Sequence, residues 1–465
     1  MQPQRSLGNS AVGHVAAAAV YRNCTGKKPD PFSVRLVGLV CFSMKAIREV
    51  VITGIGVVSP IGIGCADFWQ ALQRGESGVS PIDLFDSSSL SVRFGGQIHG
   101  FDPKLYVRPR KSLKVMSRQI QLGYAAADLA MTDAGLGVGS IEPNRFGVVF
   151  GNDMIYADLD DLETTYRRSS RNGQFDFGMW SEAIQEELHP LWLLKHLPNM
   201  TASHIAIAHD ARGPNNSIVL GDVSSLLAIA EAASVIQRGW SDVMLTGGTG
   251  CRLHPTALVA RGDALLSHRV DDFRRACRPF DRDRDGLVNG EGAGAIVLES
   301  REHAARRGAK IRGRLLSTAS RCEPRAQRDG LTGSSLRLAI RSTLDAAGLE
   351  PKHVGHVNAH GVSTVDMDSV EARAIAAELG DVPVTAPKSS FGHLGAGGGA
   401  VELAASILGL EAGLVSHTLN YETPDPLCPV RVVHGEPMAG RPRTAIAVNL
   451  CSTGQAAAVA IAAED

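Results

Sequence analysis

Two histidines and a lysine lie in turns that follow predicted strands in the second half of the chain. His360 belongs to VNAHGVST, and Lys388 and His393 belong to PKSSFGHLGAGGG, a glycine-rich turn that opens a helix. A single histidine is more often a polar residue of the core than a catalytic group. A pair beside a lysine favours chemistry, because neutral imidazoles donate N–H groups to an oxygen that gains negative charge. These residues are therefore candidates for a site that stabilises an oxyanion.

The turns belong to a chain with an α/β pattern, in which short apolar strands alternate with alanine-rich helices. Residues 218–236 and 384–408 resemble one another, since each segment reads as a strand, a polar turn and a helix. Ligands of α/β sheets bind beyond the carboxyl ends of the strands, so two similar halves would bring both turns to one site. The clearest predicted strands are residues 50–55, 145–150, 217–220, 243–246, 293–298 and 445–449.

The composition excludes several classes of protein. The 465 residues carry 47 lysines and arginines against 48 aspartates and glutamates, and this balance argues against a nucleic-acid partner. A hydrophobic content of 44% is enough for a large core and excludes disorder. The strongest apolar run near the start, residues 37–42, is far too short to cross a membrane. We expect neither a nucleic-acid partner nor a membrane helix.

Metal and cofactor motifs are weak in this sequence. Its eight cysteines include no CxxC pair, which predicts a reduced, cytoplasmic protein without disulfides or zinc. Residues 281–292 resemble a calcium loop, but Gly292 stands where Ca²⁺ requires a bidentate glutamate. Gly54 and Gly56 follow a strand, but Ser59 stands where a dinucleotide turn has its third glycine. We expect no metal and no bound cofactor.

The chain divides into three segments. Residues 1–43 contain a single acidic residue and read as an extension from a misassigned start, with a targeting peptide as the alternative. Met44 then opens MKAIREVVITGIGVVSP, which reads as a fresh N-terminus before a buried strand. A charged stretch from residue 299 has the pattern of a helical connector. We therefore predict an extension at 1–43 and two α/β halves at 44–298 and 299–465.

Six blocks within residues 50–402 carry a resemblance to a known family. They read VVITGIGVVSPIG, NMTASHIA, RGPNNSI, RPFDRDRDGLVNGEGAG, VNAHGVST and KSSFGHLGAGGGAVE. From Met44 to the C-terminus, the chain resembles a β-ketoacyl-acyl-carrier-protein synthase, one of the condensing enzymes with the thiolase-like fold. The resemblance implies two pseudo-repeated α/β halves in a layered α-β-α-β-α architecture.

The resemblance also implies roles for the candidate residues. Family members use one cysteine, which accepts the acyl chain, and two histidines, which bind the malonyl thioester and assist its decarboxylation. By motif, the histidine roles fall on His360 and His393, and Lys388 organises one of the two rings. Acyl carrier protein is the implied partner. Its phosphopantetheine arm enters as the carrier of the substrate and not as a bound cofactor.

The nucleophile of the family has no counterpart in this chain. Counting nine residues on from Gly213 of the Gly-Pro pair and twenty-five back from Gly247 of the Gly-Gly pair leads both times to Asp222. No cysteine lies between Cys65 and Cys251. The helix N-terminus that would activate a thiol keeps a carboxylate ionised, and acyl transfer to a carboxylate would give an anhydride. We expect neither thioester loading nor condensation.

Two further departures lie on the acyl-binding side. Residues 452–457 read STGQAA, without the aromatic residue and most of the glycines of the family's gating loop. Residues 151–156 read GNDMIY, with bulky side chains where the resemblance would place an acyl tunnel. The acyl-binding side has therefore changed more than the histidine side.

Three functions remain open. A malonyl-carrier-protein decarboxylase is favoured by the retained His360, His393 and Lys388, and is opposed by the charge of Asp222. A non-condensing partner subunit, similar to a chain-length factor, is favoured by the lost nucleophile and the altered gate. The third is a scaffold or binding protein whose histidines have a structural role.

All three functions predict a dimer. Family members pair through a strand beside the nucleophile turn, which corresponds to residues 217–220 in this chain. A homodimer would favour the decarboxylase, whereas a heterodimer with a cysteine-bearing ketosynthase would favour the partner subunit.

Overall fold

The computed structural model describes residues 47–324, 330–440 and 443–464, and the predicted extension at 1–43 lies outside these ranges. Within them no helix is long and apolar enough to cross a membrane. Helices α1 to α12 span Cys65–Arg74, Arg118–Asp133, Leu159–Arg168, Phe177–Glu187, Met200–His209, Ser224–Gln237, Pro255–Arg261, Arg301–Arg306, Ser334–Ala347, Val365–Leu379, Lys388–Phe391 and Gly398–Ala412. Strands β1 to β18 span Val50–Ser59, Gly62–Ile63, Val79–Pro81, Phe94–Gly96, Phe146–Asn152, Ser170–Arg171, Gln174–Phe175, Asn215–Ile218, Val243–Cys251, Glu291–Ser300, Gly313–Cys322, His356–Asn358, Pro383–Thr385, Leu414–Val415, Arg431–Val432, Met438–Ala439, Thr444–Leu450 and Gln455–Ala462.

A long mixed sheet has the strand order β15-β13-β12-β17-β18-β11-β1-β10-β9-β5-β8. Strands β8, β5 and β9 are parallel, and the sheet continues antiparallel through β10 to β1. Strands β13, β12 and β17 are also parallel, and the sheet continues antiparallel through β18 to β11. An antiparallel pairing of β1 with β11 joins the two arrangements. The predicted α/β class is confirmed, and the boundary between residues 298 and 299 stays a prediction.

Helices α6 and α12 begin directly after the turns that were expected to meet. Both helices are apolar around most of their circumference, as helices inside a core are. Leu226 and Ile229 of α6 share one hydrophobic cluster with Val401 and Leu403 of α12. The buried helices therefore hold the two turns at fixed positions.

The turn before α6 corrects one predicted strand. The prediction placed a strand over residues 217–220, but β8 ends at Ile218. Gly221 has a φ of 60°, a left-handed conformation that glycine adopts readily, and it turns the chain away from the sheet. The Leu220 N–H donates to Ser224 Oγ over 2.9 Å, so it serves the turn and not a strand pairing. The other predicted strands fall within β1, β5, β9, β10 and β17, apart from residue 145, which precedes β5.

A buried histidine in the second half of the chain predicts how the stability of the protein depends on pH. Burial lowers the pKa of His356 from 6.5 to about 4, so its ring stays neutral in the folded protein where the unfolded chain takes up a proton. The free energy of unfolding should fall by roughly 3 kcal/mol on this account as the pH drops from about 6.5 to about 4. Urea unfolding at several pH values should show that the free energy of unfolding falls less steeply with decreasing pH for His356→Gln than for the wild type. The exposed His268→Gln is the control, and equal slopes for His356→Gln and wild type would contradict the prediction.

Candidate active site

The candidate residues lie at or beyond the carboxyl ends of parallel strands from both halves of the sheet. This end of a parallel sheet is where side chains from neighbouring turns converge. Asp222 follows β8, His360 follows β12, and Lys388 and His393 follow β13. The structure places Asp222 beside both histidines, and Lys388 reaches the same network through Glu402, as described below.

The Asp222 carboxylate forms the centre of the site. Its Oδ1 atom is paired with Arg252 Nη2 and lies 3.4 Å from His393 Nε2, while Oδ2 lies 3.7 Å from His360 Nε2. The two imidazole rings stand at 89° to each other with centroids 5.4 Å apart. Both rings therefore direct one nitrogen towards the same carboxylate.

Hydrogen bonds on the far side of each ring fix the position of its proton. The Gly395 N–H donates to His393 Nδ1 over 3.1 Å, and the Asn449 side-chain amide donates to His360 Nδ1 over the same distance. A neutral imidazole that accepts at Nδ1 carries its proton on Nε2. Both Nε2–H groups consequently face Asp222. His360 Nε2 is buried and has no hydrogen-bond partner among the described residues.

The charges of the site follow from its burial and its arginine. Burial disfavours the ionised form of Asp222, but the Arg252 guanidinium and the two histidines together hold the pKa of the Asp222 carboxyl well below its usual range. Burial and Arg252 lower the pKa of His393, and burial and Lys388 lower the pKa of His360. At neutral pH the site holds one carboxylate and two neutral imidazoles.

Lys388 acts on the histidines through a buried network. Its Nζ atom is paired with Glu402 Oε1, and both side chains are inaccessible to solvent. Glu402 Oε2 accepts a hydrogen bond from the Asn449 amide over 2.9 Å, and the same amide donates to His360. The lysine charge therefore reaches the His360 ring through Glu402 and Asn449.

The Glu371 side chain binds the backbone of the turn that carries His360. The carboxylate of Glu371 accepts the N–H of His360 over 2.6 Å and the N–H of Gly361 over 2.7 Å. Burial raises the pKa of Glu371 to about 8, against the effect of these two donors. Glu371 positions the turn that carries the ring and does not contact Asp222 itself.

A row of alternating charges runs outward from Asp222. Arg252 Nη2 lies 3.9 Å from Asp153 Oδ2, which in turn lies 3.5 Å from Arg261 Nη2. Arg252 is almost fully buried, whereas about a third of the Arg261 side chain is exposed. Gly395 makes room for this row, because a Cβ on it would lie 2.8 Å from Asp153 Oδ2 and 3.0 Å from Arg252 Nε.

Asp222, His360 and His393 also have the composition of a metal site, since their possible ligand atoms lie within 4.8 Å of one another. A metal ion would need the lone pair of each Nε2 atom, but the donors at Nδ1 place a proton there. Metal-bound histidines instead donate their second N–H to an acceptor. The hydrogen bonds therefore do not fit a metal ion at these three residues.

The sequence prediction missed Arg252, Asn449 and Glu371. Arg252 follows the GGTGC end of β9, and nothing in its spacing distinguishes it from a charged residue at the surface. Asn449 was read as the last residue of a strand, and Glu371 was not singled out. An available signal was the position of Arg252 and Asn449 at strand ends, where the other candidate residues also lie.

The ion pair gives a stability prediction. Arg252→Met should lower the free energy of unfolding by about 3–5 kcal/mol, because it leaves the largely buried Asp222 carboxylate without its cation. The double variant Asp222→Asn with Arg252→Met should recover most of this loss in urea unfolding. Arg261→Met is the control, since its partly exposed pair with Asp153 contributes about 1 kcal/mol or less. Equal stabilities of Arg252→Met and Arg261→Met would contradict the proposed role of the buried pair.

Comparison with known proteins places the chain in a family. Residues 47–304 match the model "Beta-ketoacyl synthase, N-terminal domain", and residues 313–422 match "Beta-ketoacyl synthase, C-terminal domain". The 3-oxoacyl-(acyl-carrier-protein) synthase 2 of Synechocystis sp. is 35% identical over 84% of this chain and 92% of the relative.

Two solved structures extend the similarity to the fold. One chain from the solved complex of a type II PKS acyl-carrier protein with its ketosynthase bound to the hexaketide matches this chain with a TM-score of 0.77 and 29% identity. The ishigamide ketosynthase/chain length factor matches with a TM-score of 0.78 and 27% identity. Each match covers 90% of this chain and 100% of the solved chain. The predicted thiolase-like fold is thereby confirmed, and this chain belongs to the β-ketoacyl synthase family.

Proposed function

We propose that this ketosynthase-like protein of fatty acid or polyketide biosynthesis does not condense, and that it serves as the partner subunit of an active ketosynthase. The observation that carries the proposal is the Asp222 carboxylate, paired with Arg252 and facing both histidines. In this proposal Asp222 stands at the position of the family's nucleophilic cysteine. The proposed role is similar to that of a chain-length factor.

Asp222 is a poor acyl acceptor in these surroundings. A carboxylate that attacks a thioester forms an anhydride, which is less suitable than a thioester for holding a growing chain. The charge-assisted bond to Arg252 further stabilises the carboxylate and reduces its tendency to attack. Condensation through residue 222 therefore requires a nucleophile that this site does not supply.

The histidines face a negative charge that belongs to the protein itself. An enolate formed from a malonyl thioester would need the same two N–H groups. Two like charges about 4 Å apart repel by roughly 4 kcal/mol at an intermediate dielectric constant. The row formed by Arg252, Asp153 and Arg261 is also a poor surface for a hydrocarbon chain. Both features favour a subunit without its own condensation chemistry.

The edge of the sheet offers a surface for the proposed partner. In the described part of the chain, β8 pairs with β5 and with no other strand. Val219 and Leu220 follow it with exposed fractions of 45% and 41%. A strand edge beside exposed apolar side chains suits pairing with a second chain. We propose that a cysteine-bearing ketosynthase pairs here across a pseudo-two-fold axis.

Co-expression with cysteine-bearing ketosynthases tests this proposal. A stable heterodimer with one of them is expected in size-exclusion chromatography with light scattering. The double variant Val219→Asp with Leu220→Asp should lose the complex, because it places charges in the proposed apolar contact. Leu338→Asp, an exposed leucine on α9, is the matched control and should keep it. An inactive homodimer with every candidate ketosynthase would contradict the proposal.

A second candidate function is the decarboxylation of malonyl carrier protein. The buried Nε2–H of His360, without a partner in the described ranges, favours it because this donor is free for a thioester oxygen. In this reading the phosphopantetheine arm of acyl carrier protein delivers the malonyl group, and Lys388 supports the histidines through Glu402. A homodimer would suffice for this activity.

Intact mass spectrometry of malonyl carrier protein distinguishes the two functions. For the partner subunit, wild type and His360→Ala should form acetyl carrier protein at the same negligible rate. Asp222→Gln should raise the rate by about tenfold or more, because it removes the charge that repels the enolate. His360→Ala added to Asp222→Gln should abolish this gain. A wild-type rate well above that of His360→Ala would instead establish the decarboxylase.

A further inference from the structure

Residues 158–187, the hairpin unit, carry a cluster of aromatic rings that has no part in the candidate site. The unit consists of helix α3, the antiparallel pair of β6 and β7, and helix α4. The ring centroids of Tyr166 and Trp180 lie 4.9 Å apart. The Phe175 ring lies 5.4 Å from Trp180 and 5.6 Å from Phe177. The four rings therefore form one continuous cluster.

Most of this aromatic cluster faces solvent. Phe177 is 80% exposed, Tyr166 is 48% exposed and Phe175 is 44% exposed. If a buried aromatic side chain covers about 150–250 Å², the three rings leave roughly 350 Å² open, close to half of the about 800 Å² that each partner buries in a standard interface. A contiguous apolar patch of this size on a soluble protein indicates an interaction surface.

The exposed apolar surface continues from the hairpin unit to the sheet edge at β8. Helix α5 packs against β8, and the turn Trp192–His196 packs against α5. Ile207 on α5 is 75% exposed, and Leu193 in the turn is 55% exposed. Lys195 of the same turn pairs with Asp161 of α3 over 2.7 Å. A series of packed elements with exposed apolar side chains therefore connects the proposed partner edge to the aromatic cluster.

The hairpin unit is strongly acidic. Residues 158–187 contain eight aspartates and glutamates but only three arginines. Two of these arginines, Arg167 and Arg168, are paired with glutamates of the unit itself. The exposed Asp160 and Glu182 form no ion pair in the described part of the chain. Aromatic rings with an acidic border fit a partner surface that combines apolar side chains with arginines, because a guanidinium also stacks on aromatic rings. The same charge disfavours an anionic membrane surface as the occupant.

We propose that the hairpin unit docks on the cysteine-bearing ketosynthase of the heterodimer and selects a ketosynthase with a basic and apolar surface opposite it. The inference rests on the proposed function, and it adds a second contact to the pairing at β8. The rings supply buried apolar area, and the carboxylates discriminate between ketosynthases by the charge of the facing surface. The hairpin unit is thus a determinant of partner choice.

The Kd of the heterodimer, measured by surface plasmon resonance, tests the docking surface. Phe177→Ser should raise this Kd by about tenfold or more, because it removes the most exposed ring of the cluster. Val138→Ser is the matched control, since Val138 is 70% exposed and precedes β5, whereas the hairpin unit follows β5. The control should keep the wild-type Kd.

Charge reversal tests the selection of a basic partner. Glu182→Lys should raise the Kd by about threefold or more and should make binding less sensitive to salt, because it removes an attraction that salt screens. Asp345→Lys reverses an exposed charge on α9 and should change neither quantity. Equal Kd values and salt dependences for Glu182→Lys and Asp345→Lys would contradict the selection by charge.

The outcomes separate this inference from the proposed function. A heterodimer that keeps its wild-type Kd in Phe177→Ser contradicts only the docking surface. A chain that binds no cysteine-bearing ketosynthase contradicts both proposals. Self-association of the chain alone that weakens in Phe177→Ser would assign the surface to a second copy and overturn the proposed occupant.

Discussion

The ion pair between Asp222 and Arg252 sets the charge of the whole site. A carboxylate at this depth is tolerated because a guanidinium neutralises it. Burial and the same arginine keep His393 neutral, and a neutral ring with a donor at Nδ1 presents an N–H to the carboxylate. The charge of Asp222, the protonation of His393 and the orientation of both rings thus form one coupled arrangement.

The sheet brings these partners together from distant parts of the sequence. Arg252 and Asp222 follow parallel strands of the first half, while His360 and His393 follow parallel strands of the second. The pairing of β1 with β11 and the packing of α6 against α12 hold the halves together. The network from Lys388 through the buried carboxylate and amide lies within the second half. The first half therefore supplies the charged pair, and the second half supplies the neutral rings.

Much of this arrangement was predictable from local patterns. Short apolar strands and glycine-rich turns indicated the α/β fold, and strand ends indicated where His360 and His393 would meet. The role of Arg252 was not predictable, because a charged residue after a strand is usually solvated and only its tertiary contacts show that it is buried. The end of β8 was misplaced for a local reason. Val219 and Leu220 are apolar enough for a strand, but the turn at Gly221 already determines their conformation.

Gly395 links the two halves of the site through its backbone N–H and its lack of a side chain. Its N–H orients the His393 ring, and its missing side chain leaves the space that Asp153 and Arg252 fill. A side chain at residue 395 would have to adopt a left-handed φ of 57° and would displace the neighbouring Asp153 and Arg252 side chains, so even one methyl group there would disturb the ion pair that neutralises Asp222.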